Sequence, residues 1–186
     1  MNTALKKTLT RDDYFELERT SETKHEFFHG EVFAMAGVRD RHNEIALNFA
    51  LFLRGALRGK GCGVYISDVR LEVDEGGHYT YPDVFVTCDP RDRDNPLTKR
   101  HASLVVEVLS EGTAAYDRGL KAQQYRRMPS LRGYVLIDPD TQTVEVQTRG
   151  EGSAWTLVVY GAAGEVAALP FEGLGVPWAE VFARME

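Results

Sequence analysis

No run of apolar residues in this chain approaches the ~20 that a membrane-spanning helix requires. The opening stretch, MNTALKKTLTRDDYFELERT, lacks the apolar centre of a secretion signal. A cytoplasmic protein with no membrane partner is therefore expected. Cysteine is scarce, with only Cys62 and Cys88, in neither CxxC spacing nor a framework pattern. Two thiols are too few for a thiolate zinc site, and in a reducing compartment they are expected to stay free as small, buried or half-buried residues. There is no internal repeat, no low-complexity tract and no dividing linker, so residues 1–186 are expected to form a single domain. A GxxxxGK[ST] phosphate loop is missing, which counts against nucleoside triphosphate chemistry. No helix-turn-helix or zinc finger is apparent to read bases.

Excess positive charge is also lacking. The net charge of −6 removes any whole-molecule attraction to nucleic-acid phosphate. Its distribution is uneven, however. Arg118, Lys121, Arg126, Arg127 and Arg132 lie in a stretch with no acidic residue, whereas DVRLEVDEGG and CDPRDRDNP are rich in acids. A local basic face on an acidic molecule is compatible with this pattern.

The hydrophobic fraction of 43% and charged fraction of 27% are those of an ordinary globular protein. TRDDYFELE predicts a short helix with Thr10 as N-cap and Asp13 closing a capping box. KHEFFHGEVFAMAG predicts a hairpin turning at His29-Gly30. Asp40 opens a helix whose apolar stripe runs through Ile45, Phe49, Phe52 and Ala56, ended by Gly59 and Gly61. VYISDVRLEV and HYTYPDVFVT predict a second hairpin around DEGG. SLVVEVLS and GYVLID read as buried strands. Between them Asp117 is expected to cap the helix RGLKAQQYRRM, stopped by Pro129. VEVQTR and WTLVVY pair next, and VPWAEVFARM closes the chain as a helix with Pro177 in its first turn. Helices flanking such strands predict a layered α/β domain with a mixed central sheet.

One residue breaks the pattern. Glu107 interrupts SLVVEVLS at its centre, where an ionised carboxylate is costly unless paired, protonated or bound to a metal. A partly buried ion pair is the plainest of these. Asp83, in YPDVFV, sits on the preceding strand and faces opposite to Val84 and Val86. Alone it reads as a strand-start residue. Together, two acids on adjacent strands can share one hard cation such as Mg²⁺ or Mn²⁺, with the Val108 carbonyl as a further ligand. Lys121, about one turn into the next helix, can reach back to orient a water and stabilise negative charge on phosphate. Its alternative is an i, i+4 surface pair with Asp117. Tyr125 on the same face reads as packing.

YPDVFVTCD, LVVEVLSEGTAAYDRGLKAQQYRRMPSLRGYVLID and RHNEIALNFA, in that chemical context, resemble the Uma-two family of bacterial proteins described as endonucleases, within the PD-(D/E)XK restriction-endonuclease-like superfamily. The similarity runs from about Tyr14 to Phe182 and includes the hairpin KHEFFHGEVFAMAG. It implies a restriction-endonuclease-like α/β fold, with a mixed central β-sheet flanked by helices and an N-terminal hairpin. Asp83 then fills the PD position and Glu107 the following acid. The superfamily pattern places lysine two residues after that acid, where this chain has Leu109; Lys121 matches a lysine moved to the next helix. His42 matches a histidine at the start of the family's long helix and is a candidate to support the metal or its water, with Glu44 a weaker candidate. Glu31 and Asp68 fall in family-like segments and read as structural or solvated.

The leading expectation is a Mg²⁺- or Mn²⁺-dependent DNA endonuclease. Asp83, Glu107 and Val108 hold the metal, Lys121 and His42 assist, and Arg118, Arg126 or Arg127 meets the DNA backbone. A double-strand cut needs two sites, which calls for a two-fold homodimer. The displaced lysine and acidic charge favour the alternative, a nuclease-fold DNA- or protein-binding module. A third expectation is an enzyme for small phosphorylated substrates.

Overall fold

The computed structural model describes residues 8–35 and 37–184. Helix α1 (Arg11–Thr20) is started by the expected capping box. Thr10 Oγ1 accepts from the Asp13 amide at 3.1 Å, and Asp13 Oδ2 accepts from the Thr10 amide at 2.9 Å. Strands β1 (His25–Phe28) and β2 (Glu31–Ala34) form the N-terminal hairpin. Its two-residue turn has φ of 44° at His29 and 95° at Gly30, the left-handed pair whose twist matches an antiparallel hairpin. Helix α2 (Asp40–Ala56) begins where expected, but its buried stripe is Ile45, Phe49 and Leu53 with Ala46 and Ala50. Phe52 and Ala56 are only half-buried. The buried face is centred between the row Ile45, Phe49, Leu53 and the row Ala46, Ala50, which leaves Ile45, Phe52 and Ala56 toward one margin of it.

The two runs expected to make one hairpin each divide in two. Strands β3 (Gly63–Ile66), β4 (Arg70–Asp74), β5 (His78–Thr80) and β6 (Val84–Thr87) follow in order. β4 pairs with β5, and β3 pairs with β6 in a different sheet. Residues 67–69 and 81–83 carry the chain across between the sheets and back. The same register puts Cys62 across from Cys88, since Gly63 faces Thr87. Against expectation the two cysteines are not free: they form a disulfide, with Cα atoms 4.0 Å apart. They are distant in sequence yet neighbours across a strand pair, a closeness that spacing alone does not reveal.

Strand β7 (Thr98–Lys99) runs parallel to β4, and β8 (Ala102–Val108) is buried at every position. The following helix starts earlier than expected. Helix α3 (Ala114–Tyr116) passes through a π turn (Asp117–Lys121) into α4 (Ala122–Arg127). Asp117 is therefore inside the helix and not its cap. Strands β9 (Gly133–Asp138), β10 (Thr143–Arg149) and β11 (Trp155–Tyr160) form an antiparallel meander. Two short strands, β12 (Val166–Ala168) and β13 (Gly175–Pro177), were not foreseen, and the closing helix α5 (Trp178–Val181) is one turn, shorter than expected.

The six-stranded sheet has the order β11-β10-β9-β8-β6-β3, with β8 and β9 parallel and the other pairs antiparallel. The five-stranded sheet runs β2-β1-β5-β4-β7. α2 covers one face of the larger sheet through Ile45, Phe49 and Leu53. The other face packs with Ala122, Tyr125 and Met128 from the α4 segment and with Leu71 and Val73 from β4. The fold is thus the expected mixed α/β arrangement. Among the described residues, no helix is long and apolar enough to cross a membrane.

Candidate active site

Strand register brings Asp83 to Glu107. β6 and β8 run antiparallel with Val84 opposite Val106, which sets Asp83, just before β6, opposite Glu107. Side chains alternate along both strands. Val84, Val86, Val106 and Val108 join the core beneath α2, and Phe85, Val105 and Leu109 join the core beneath α4. By that alternation both acids turn toward the helix that carries Lys121. Each is tied to the other's strand. The Asp83 amide donates to Glu107 Oε2 at 3.3 Å, and the Val108 amide donates to Asp83 Oδ2 at 2.8 Å. Val108 thus enters the site through its N–H. The Asp83 side chain is 18% exposed and that of Glu107 6%, so the pair opens to solvent at its Asp83 end.

Lys121 closes the other end. Its Nζ lies 2.9 Å from Glu107 Oε1, 3.2 Å from Glu26 Oε1 and 3.7 Å from Asp117 Oδ1. The π turn buries both Asp117 and Lys121. Such a wide turn re-aims side chains that an unbroken α-helix would hold elsewhere. Tyr125 does more than pack: its hydroxyl donates to Glu107 Oε1 at 2.9 Å and lies 3.3 Å from Thr80 Oγ1, and Thr80 in turn donates to Glu26. His42, in the first turn of α2, places Nε2 3.0 Å from Asp83 Oδ1. That contact is off the hydrogen-bonding direction, and neither buried ring nitrogen of His42 makes a hydrogen bond.

Three carboxylates therefore surround one ammonium, and a fourth, Asp83, lies against Glu107's strand. Burial pushes Glu107 up to about 8; Lys121 pulls against that shift, and Asp83, Asp117 and Glu26 add to it. Asp117 is raised, again chiefly by burial. Burial would also raise Glu26, but Lys121 and Thr80 outweigh it and hold the group below its usual value. For Lys121, burial favours the neutral amine and is overcome by Glu107, Tyr125, Glu26 and Asp117, so the group stays charged. His78, on the same face of β5 as Thr80, is buried with both ring nitrogens unbonded; burial lowers it to about 4.

This surplus of negative charge suits a cation. Among the described residues no three His, Cys, Asp or Glu side chains form a closed metal cage. Two carboxylates with remaining positions left to water and phosphate are what Mg²⁺ accepts. The donor chemistry of Asp83 and Glu107 fits such an ion.

Glu26, Asp117, Thr80 and Tyr125 escaped sequence reasoning as site residues. Glu26 carried a faint signal, since the β1 alternation puts it on the face opposite buried Phe27. The remaining candidates stand apart. Glu44 pairs with Arg41 at 2.5 Å, Asp68 pairs with Lys24, and Glu31 lies on edge strand β2. The expected basic face is largely consumed: Arg118 binds Glu145 at 2.7 Å and Asp138 at 3.3 Å, and Arg126 bonds Gln147. Arg127 and Arg132 remain exposed.

The fold is that of a restriction-endonuclease-like α/β protein. The chain superposes with a TM-score of 0.75 on the crystal structure of "a putative nuclease belonging to DUF820" from Anabaena variabilis ATCC 29413. That match covers 94% of this chain and 98% of the other, at 17% identity. Residues 11–179 match the Uma2 family model, described as "Putative restriction endonuclease", and the chain belongs to that family. It is 34% identical over 154 residues to the uncharacterised protein slr1290 of Synechocystis sp. (strain PCC 6803), covering 83% of this chain and 81% of the relative. It is 33% identical over 159 residues to sll1609 of the same organism, also uncharacterised, covering 84% and 90%.

Proposed function

We propose that the protein is a divalent-metal-dependent endonuclease that hydrolyses DNA phosphodiester bonds. The observation that carries this reading is the pair Asp83 and Glu107, opposed across adjacent strands with the Lys121 ammonium 2.9 Å from Glu107. Family membership and the likeness of fold support it. Asp83 and Glu107 would hold one Mg²⁺ or Mn²⁺ beside the Val108 backbone. Such an ion, when bound, supplies charge to the phosphate under attack and lowers the pKa of a bound water.

The remaining work belongs to the side chains. Asp83, the more exposed acid, presents an oxygen toward the open end of the site. Glu107 gives up the proton its burial favours, and Tyr125 and Lys121 receive its charge as hydrogen bond and ion pair. Lys121 keeps a fixed positive charge near the attacked phosphate, where a preorganised cation is worth more than in water. His42 stands beside Asp83 Oδ1, placed to support a metal ion held there or its bound water.

Purified protein should nick supercoiled plasmid in Mn²⁺, and Glu107→Ala should abolish the nicking. Equal cutting by that variant overturns the assignment. A second reading, a nuclease-fold binding module, is favoured by the division of Lys121 among three carboxylates and the locking of Arg118. It predicts salt-sensitive DNA binding without metal-stimulated cutting. Calorimetric titration with Mn²⁺, wild type against Asp83→Ala, separates the two before any substrate is chosen.

A further inference from the structure

Among the described residues, one sheet edge is long and unguarded. β11 ends the six-stranded sheet, and its outward main-chain groups have no partner among the described residues. Its sequence, WTLVVY, carries no charge and no proline. Leu157 is 57% exposed, Val158 48% and Val159 53%, so the strand is apolar on both faces. The other edges are blunted: β7 has two residues, β3 has four, and β2 carries Glu31. Short strands and edge charges are how proteins prevent unwanted pairing, and β11 has neither.

We propose that β11 pairs antiparallel with β11 of a second copy of this chain, joining two six-stranded sheets into one. The charge pattern beside the edge selects this occupant. On the face shared with Leu157 and Val159, neighbouring β10 carries Arg149 opposite Trp155 and Glu145 opposite Val159. The Trp155 end is basic, with Arg126 and Arg149 both against the Trp155 ring. The Tyr160 end is acidic, because Glu145 and Asp138 share the single cation Arg118. An antiparallel two-fold lays the basic end of one copy beside the acidic end of the other, and uncharged Leu and Val side chains meet between them.

The geometry has a functional corollary. Antiparallel continuation of a sheet requires a two-fold axis normal to it, so both copies present the same face to the same side. The two Asp83–Glu107 pairs would then share one face. At ~4.8 Å between neighbouring strands, β8 and its copy lie about 34 Å apart along the sheet before twist is taken into account. The interface does not depend on the nuclease reading.

Light scattering on the intact chain across the micromolar range should give twice the chain mass. Leu157→Lys/Val159→Lys should give the single mass, with thermal unfolding matching that of the wild type below its association midpoint, because both side chains are exposed. In the wild type, amides of Trp155–Tyr160 should exchange with deuterium more slowly as concentration rises, a readout that needs no variant. A monomeric wild type, a dimer that survives the double substitution, or protection confined to another segment overturns the proposal. Loss of plasmid nicking with the dimer retained would refute the nuclease reading and leave the interface standing.

Discussion

β8 and β11 belong to the same sheet and reverse the usual rule in opposite directions. β8 hides a carboxylate among valines, and β11 shows leucine and valines to water. Each reversal costs free energy in the isolated chain. At β8 the cost is offset from within by Lys121, Tyr125 and the facing Asp83 amide. At β11 nothing inside the described chain offsets it, which points outward to a second molecule. A buried polar group and an exposed apolar strand therefore carry the same lesson: where the sequence departs from pattern, a partner is implied.

The comparison is broken most severely at Glu107. Glu107→Ala should reduce Mn²⁺-dependent plasmid nicking at least ~100-fold, the loss expected when the site can no longer hold the cation that stabilises developing charge. Lys121→Met leaves three buried or half-buried acids facing one another and should lower stability by roughly 3–5 kcal/mol in denaturant unfolding.

A pH series on metal-free protein sharpens the contrast. With Glu107 raised to about 8, the folded state holds its proton more tightly than the unfolded chain does. Its contribution to stability is full below the unfolded value near 4.5 and falls as pH rises toward 8. Glu107→Gln should flatten that decline. His78, lowered to about 4, acts on the acid side: its contribution is full above 6.5 and is lost as pH falls toward 4, so His78→Gln should flatten the acid limb. The smallest effect is expected at β11, where Leu157→Thr should change the stability of the single chain by less than about 0.5 kcal/mol while weakening self-association. Unfolding monitored below and above the association midpoint separates the two effects.

Much of the fold could be read from local chemistry. The α1 capping box, the His29-Gly30 turn and the buried run around Glu107 each follow from side chains a few residues apart. What could not be read depended on distant neighbours. The disulfide joins Cys62 to Cys88 only because β3 lies beside β6, and the split of one long hairpin between two sheets leaves no mark in the alternation of VYISDVRLEV. The site divides in the same way. Asp83 and Glu107 were legible because acids are conspicuous on apolar strands, and Lys121 because its helix follows directly. Glu26 and Tyr125 were hidden, since a glutamate in a hairpin and a tyrosine on a helix have ordinary explanations until tertiary packing sets them against Lys121. The π turn was invisible too, because no residue type demands it.

Lys121 touches Glu107 from the larger sheet and Glu26 from the smaller one, so a single ammonium acts as a rivet between two plates. Under the proposed nuclease function, any substitution that moves this nitrogen toward a substrate also loosens the seam, and any substitution that tightens the seam draws the nitrogen away. Improvement of turnover and hardening against heat are thereby set in opposition at one atom.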